Sequence, residues 1–263
     1  MRRLFNIEFG KLRGYRTFWA LSILYLLLMG VVLIYLDSFH FGMNGSRKQG
    51  MQVNFGSMGI FVFSGIWHNI TYVAGFFKIF LAVIVVILVS GEYEYRTIRQ
   101  NIIDGLSRSE YFTSKMITIF LISFCAMMYV LVIIIILGFV HTNDITFDKI
   151  TEHSEFILAF FLEMFGYLTF VFLVTNLVKK AAFAVGIYFV YTLLVEPLLA
   201  FKFDTVASYM PLQSFGNLIH MPFARYIGQN VPEFVAFKDV AISFFYIGLF
   251  SFLNWWLIEK RDL

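Results

Sequence analysis

The sequence has little charge. Only 14% of its 263 residues are Asp, Glu, Lys or Arg, whereas 60% are hydrophobic. A soluble domain typically has about 25% charged residues. So few charges could not cover the apolar surface of a water-soluble domain, which excludes a soluble enzyme and a disordered chain. The net charge of +3 is too small and too dispersed for a phosphate-binding face, so no nucleic-acid partner is expected.

Cysteine and the usual catalytic motifs are also scarce. Cys125 is the only cysteine, so no disulfide can form within the chain. The sequence has no G-x-x-x-x-G-K-[ST] phosphate loop, and we therefore expect no ATP hydrolysis by this chain itself. The five histidines lack the spacing of a zinc site. We predict no catalytic residue, no metal site and no cofactor bound by this chain.

What the sequence does contain is a series of apolar runs. Each is close to the length of about 20 residues that a helix needs to span a membrane. They predict an all-α integral membrane protein with six transmembrane helices in a single domain over residues 1–263. The six predicted spans are Thr17–Leu36, Thr71–Ser90, Met116–Val140, Phe156–Val178, Ala181–Phe201 and Val240–Ile258.

Lysine and arginine are distributed unequally between the two sides of these spans. With the N-terminus inside, roughly twice as many of them fall in the inner segments as in the outer ones. This bias predicts that both termini are cytoplasmic. We expect a multi-pass protein of the bacterial cytoplasmic (inner) membrane, with membrane lipid as its surroundings.

Two flanking segments are more apolar than ordinary loops. Residues 1–16 can form a basic amphipathic helix lying on the inner membrane surface, although a simple positively charged flank is the alternative. Residues 202–236 lie between spans five and six and combine prolines with apolar patches. We expect short helices there that lie in the outer leaflet or re-enter it.

The segment after the second span, residues 91–106, has clear helix start and stop signals. Tyr95, Ile98 and Ile102 can share one apolar helix face. Gly105 stands where a left-handed C-cap is expected, and Ser107 with Glu110 forms a capping-box pattern that begins the next helix. The pattern indicates a docking helix held at the membrane surface; a solvated inner loop is the alternative interpretation.

The motif EYEYRTIRQNIIDGLSR at residues 92–108 resembles the permease subunit of an ABC-2 type ATP-binding cassette exporter. The amphipathic N-terminal segment, the six spans and the charged residues after the last span agree with this resemblance. In that family the inner segment is the coupling helix, which docks on a separate ATPase. The resemblance implies this ATPase-coupling role for Glu92, Glu94, Arg96, Thr97, Arg99 and Asp104.

The same resemblance implies the partners. ATP and Mg²⁺ would bind to the ATPase subunit, and a second permease subunit, identical or different, would complete the transporter. The substrate path would lie at or beside the interface of the two permeases. Two other classes stay open from the sequence, namely an integral-membrane enzyme acting on lipid or peptide and a non-transporting membrane anchor with ABC-2 architecture.

Three ionisable residues fall within predicted spans, where a charge is costly and usually faces a partner or a wet cavity. Lys78 and Glu163 can form an ion pair between helices, or Glu163 can line the transport path. Alternatively, Lys78 extends to the outer interface and Glu163 is buried in its protonated form. Glu196 precedes Pro197, and we interpret this position as a helix end or kink.

Overall fold

The computed structural model describes residues 10–35, 40–42, 52–54, 59–203, 208–227 and 231–260. Over these ranges the regular secondary structure is helical apart from one pair of three-residue strands. The helices are α1 Arg16–Tyr35, α2 Gly65–Gly75, α3 Lys78–Glu94, α4 Thr97–Ile103, α5 Arg108–His141, α6 Phe147–Thr151, α7 Glu155–Val178, α8 Ala181–Val190, α9 Glu196–Lys202, α10 Pro211–Gly216 and α11 Phe237–Lys260. The strands β1 His40–Gly42 and β2 Gln52–Asn54 pair antiparallel, with Phe41 opposite Val53.

Five of the helical segments are long and apolar enough to cross a membrane, and they correspond to five of the predicted spans. The remaining predicted span corresponds to α2 and α3 together. These two helices meet at an angle of 45°, and they make a sixth span if the bent pair crosses as one unit. The all-α class is therefore confirmed, whereas the count of six spans stays a prediction.

Helix α7 lies at the centre of the bundle. It packs against α3 on one side, α5 on another and α11 on a third. In its most apolar stretch 83% of the residues are buried, against 17–39% in the other four candidate spans. The outer helices instead direct many large apolar side chains away from the protein, as expected where lipid or another subunit is the neighbour.

A close contact between two helices explains why residue 166 in α7 is a glycine. A Cβ atom on Gly166 would lie less than 3.0 Å from three ring carbons of Phe215, whose side chain is fully buried. Glycine is therefore required here so that α10 can approach α7. Close approach through small residues is a common way to pack helices in membranes.

The end of the fifth span differs from the prediction. The helix neither ends nor breaks at Glu196 but continues through α9 to Lys202, after a π-helical turn at Tyr191–Val195. Pro197 has no backbone N–H to donate to the preceding turn. A single wider π turn next to such a residue can accommodate the change in hydrogen bonding without interrupting the span.

The two flanking segments are only partly described. Residues 1–9 of the predicted interfacial helix lie outside the described residues, while residues 10–14 are helical. Within the predicted outer segment, the structure contains the short helix α10 and a 3-10 helix at Pro222–Ile227. Short helices are therefore present in this segment, and their position relative to the membrane stays a prediction.

Replacing Gly166 with alanine should destabilise the protein, because the added methyl group would displace the buried Phe215 ring. We expect a loss of about 1–3 kcal/mol, as is typical of overpacking. Thermal unfolding of the detergent-purified protein, followed by size-exclusion chromatography, measures the change. Gly186→Ala is the matched control, since no neighbouring atom lies within 4 Å of the place its added methyl group would take; equal losses in both variants would contradict the packing argument.

Candidate functional site

One end of the helical bundle collects cationic residues, and we call it the basic end; the opposite end is called the far end. Side-chain contacts tie the elements of the basic end together. Arg108 donates to the backbone carbonyl of Glu259 at 2.5 Å, and the Lys179 ammonium lies 5.2 Å from the centre of the Tyr93 ring. The described cations at this end are Lys11, Arg13, Arg16, Arg96, Arg99, Arg108, Lys115, Lys179, Lys180 and Lys260.

The predicted coupling helix of residues 91–106 begins later in the structure than the sequence analysis expected. Helix α3 continues through Glu94, so residues 91–94 are the last turn of the preceding span. Arg96 then adopts a left-handed conformation with φ of 55°, and the separate helix α4 covers only Thr97–Ile103. Because this break rotates the chain, Tyr95 is 73% exposed and does not share the buried face of Ile98.

The predicted stop and restart signals are confirmed. Gly105 has a φ of 91°, and the backbone N–H groups of Gly105 and Leu106 donate to the carbonyls of Ile102 and Asn101. These two bonds form a Schellman motif that ends α4. Ser107 and Glu110 form a reciprocal capping box at the start of α5. Local hydrogen bonds therefore define the geometry of the segment between the two spans.

Glu92 is a buried residue with ionic partners within the chain. Its carboxylate is buried and lies 2.9 Å from Lys11 and 2.9 Å from Lys115. The three side chains come from the N-terminal segment, α3 and α5, so this ionic cluster joins the three elements at the basic end. The assignment of Glu92 as an ATPase contact stays a prediction, although its carboxylate is already engaged with two lysines within the chain.

The other predicted coupling residues are accessible to different degrees. Glu94, Arg96, Arg99 and Asp104 are exposed, whereas Thr97 is half-buried and its hydroxyl donates to the carbonyl of Glu92 at 3.4 Å. Asp104 accepts a hydrogen bond from Gln100 on the surface of α4.

A groove of about 850 Å³ opens beside these residues, and we call it the basic-end groove. One wall is formed by the end of α3 and by α4, and the other by the turn between α7 and α8. It is lined by Glu92, Tyr93, Glu94, Arg96, Ile98, Arg99 and residues 178–183. Four cations line the groove, namely Arg96, Arg99, Lys179 and Lys180, against two carboxylates, so its charged residues are mostly positive.

Lys78 and Glu163 form the ion pair that was one of the sequence alternatives. The Lys78 ammonium lies 2.8 Å from the Glu163 carboxylate and 3.9 Å from the centre of the Tyr167 ring. Lys78 begins α3 just after the bend from α2, and Glu163 lies about two turns inside α7. The pair thus joins the bent span to the central helix, and both side chains also line a cavity.

Glu196 has a structural role that sequence reasoning missed. Its buried carboxylate accepts hydrogen bonds from the backbone N–H groups of Leu212 and Gln213, both at 2.8 Å. These are N–H groups of the first turn of α10, which would otherwise lack partners. Glu196 therefore attaches α10 to the fifth span. No sequence signal pairs a carboxylate with a helix that begins 15 positions later.

A chain of buried amides was also missed by sequence reasoning. The Tyr93 hydroxyl donates to Asn176, and Asn176 donates to Asn254 at 2.7 Å. Asn254 in turn donates to the carbonyls of Thr169 and Phe250. These bonds join α3, α7 and α11 near the basic end. Asn176 and Asn254 are polar residues within apolar runs, which is the signal that could have identified them.

A comparison with protein families identifies the class. The family model for ABC-2 family transporter proteins matches residues 4–195, which is more than half of the chain. The chain therefore belongs to the ABC-2 family of transporter proteins. It is a multi-pass membrane protein of the permease class, the membrane component of a transporter rather than its catalytic part. No curated protein matches the chain.

Replacing Glu163 with glutamine should destabilise the bundle, because Lys78 would keep its charge without a carboxylate partner. Removing one member of a buried ion pair typically costs about 3–5 kcal/mol. The double variant Lys78→Met with Glu163→Met should lose less than Glu163→Gln alone. Unfolding midpoints of the purified variants measure the difference. Normal folding and normal transport by Glu163→Gln would contradict both a packing role and a transport role for the carboxylate.

Proposed function

We propose that this chain is the permease subunit of an ABC exporter, which forms the substrate path and couples to a separate ATPase subunit. The observation that carries the proposal is the basic-end groove between α4 and the turn at Lys179 and Lys180. Arg99 lies on α4 and Arg96 directly precedes this helix, which has a hydrogen-bonded stop and is followed by a capped restart, whereas Lys179 and Lys180 lie in the turn between α7 and α8. Both walls of the groove therefore carry cations. Membership of the ABC-2 family supports the same role.

The charge of the groove indicates the chemistry of the docking surface. A mostly positive groove at the cytoplasmic side would be complementary to an acidic surface on the ATPase. The ATPase would bind ATP and Mg²⁺, since this sequence lacks a phosphate loop. Arg96, Arg99, Glu94 and Asp104 are the exposed candidates for contact, and Thr97 would help to position α4.

The buried contacts offer a route for movement from the groove into the bundle. The cluster of Lys11, Glu92 and Lys115 connects the end of α3 to α5 and to the N-terminal segment. The hydrogen-bonded chain from Tyr93 through Asn176 to Asn254 connects it to α7 and α11. A displacement of α4 would therefore reach α3 and, through it, four further elements by short polar contacts. Such contacts couple the groove to the bundle when the connected helices can adopt two alternative packing arrangements.

A second permease subunit, identical or different, would complete the transporter. The outward faces of α1, α8 and α11 present large apolar side chains, which can contact lipid or a partner helix. Among them are Ile23, Leu27, Phe183, Ile187, Phe244 and Phe245.

Reversing the charge of the groove should prevent ATPase binding. We expect the double variant Arg96→Glu with Arg99→Glu to fold but to lose co-purification of the ATPase expressed with it, because the groove would then repel an acidic surface. Lys149→Glu with Lys202→Glu is the matched control, since both lysines lie at the far end. Equal ATPase recovery from the two double variants would contradict docking at the groove. A purified chain that turns over a lipid without an ATPase would instead favour the membrane-enzyme alternative.

The proposed orientation places the basic end in the cytoplasm, and cysteine labelling tests it. In a Cys125→Ser background, a cysteine at Arg99 should react with a membrane-impermeant maleimide only after cells are opened. A cysteine at Lys149, in exposed α6, should react in intact cells. Labelling in the opposite order would show that the bundle is inserted the other way.

A further inference from the structure

A second cavity, of about 380 Å³, lies within the bundle towards the far end, and we call it the far-end cavity. It is formed where α2 bends into α3, by α7, and by α10 with the residues that follow it. Its volume falls within the range of about 300–1,000 Å³ that is usual for small-molecule sites. The lining residues are Tyr72, Gly75, Phe76, Lys78, Glu163, Tyr167, Leu212, Gln213, Gly216, Asn217, Ile219, His220 and Met221.

The wall of the far-end cavity carries one positive and one negative charge. Among its lining residues only Lys78 and Glu163 are charged, and they lie 2.8 Å apart. A ligand with a single charge would be attracted by one of them and repelled by the other. A ligand that carries a positive and a negative group close together can place the positive group beside Glu163 and the negative group beside Lys78. The charges of the ligand and of the protein are then all compensated in a low-dielectric setting.

The wall of the far-end cavity has both polar and apolar residues. Gln213 and Asn217 on the α10 side supply amide N–H groups, which can donate to the oxygens of an anionic group together with Lys78. Phe76 and Met221 are 62% and 51% exposed, and they give the cavity an apolar margin. A ligand with a small polar head and a hydrocarbon tail would match this arrangement.

We propose that the far-end cavity binds the headgroup of a zwitterionic amphiphile that carries an ammonium group and a phosphate. The ammonium contacts Glu163, and the phosphate contacts Lys78 with the amides of Gln213 and Asn217. The hydrocarbon tail leaves past Phe76 and Met221. This site is independent of ATPase docking, so it goes beyond the function proposed above.

The test measures binding of a short-chain phosphatidylethanolamine to the purified chain in detergent, without any ATPase. Dihexanoyl phosphatidylethanolamine should bind at least tenfold more tightly than dihexanoyl phosphatidylglycerol, which has the phosphate but no ammonium. Free phosphoethanolamine should compete with the bound lipid, because the cavity recognises the headgroup. Equal affinity for the two lipids, or no competition by phosphoethanolamine, would overturn the proposal.

A variant that fills the cavity leaves the ion pair intact and therefore avoids the folding defect expected when the pair is broken. Asn217→Phe should reduce phosphatidylethanolamine binding at least tenfold, and Gln213→Trp tests the same wall if the first variant does not fold. Asn143→Phe is the matched control, since Asn143 is exposed and does not line the cavity. Unchanged binding in a folded filling variant would place the lipid elsewhere on the protein. Because no ATPase is present, failure of ATPase docking would not affect this result.

Discussion

A charged or polar group enclosed in a helical membrane bundle needs a partner within the protein, since lipid offers none. This constraint accounts for most of the long-range polar contacts in the structure. Lys78 is paired with Glu163, Glu92 with two lysines, and Glu196 with the first turn of α10. Each contact joins different helical elements, so the scarce polar residues specify how the apolar helices are arranged.

Apolar packing alone would leave that arrangement poorly specified. Lipid tails are as apolar as leucine, so burying a hydrophobic face against another helix gains little in a membrane. Close approach and hydrogen bonding have to supply the specificity. At Gly166 the absence of a side chain lets Phe215 pack directly on α7, and at Asn176 an amide hydrogen bond fixes α11 beside the same helix. The central helix therefore makes both kinds of contact, which is consistent with its burial.

The two ends of the bundle differ in what they offer to a partner. The basic end presents a groove with more cations than carboxylates, between α4 and the turn after α7, whereas the far end contains a cavity in which opposite charges lie together. A groove with a net positive charge suits a macromolecule with an acidic surface. A cavity with compensated charges suits a small ligand that carries both signs. The distinction follows from charge and shape at each end, and it is why the proposed ATPase docking and the proposed ligand binding are assigned to different ends.

The sequence by itself determined the membrane class, the approximate spans and the local signals around α4. These features depend only on residues that are neighbours in the sequence, so they could be predicted without knowledge of the fold. They are the lengths of the apolar runs, the C-cap at Gly105 and the capping box of Ser107 and Glu110. The resemblance carried by residues 92–108 also pointed to the ABC-2 family, which the family comparison shows.

Only the tertiary structure decided which polar residues meet. Glu92 belongs by sequence to the coupling motif, but Lys11 and Lys115 approach it from other helices and enclose it. Glu196 next to Pro197 resembles a helix end, but α10 provides two N–H groups that its carboxylate accepts. The left-handed turn at Arg96 likewise moves Tyr95 away from the face of Ile98. Such contacts depend on how distant helices pack, and helical periodicity carries no information about that packing.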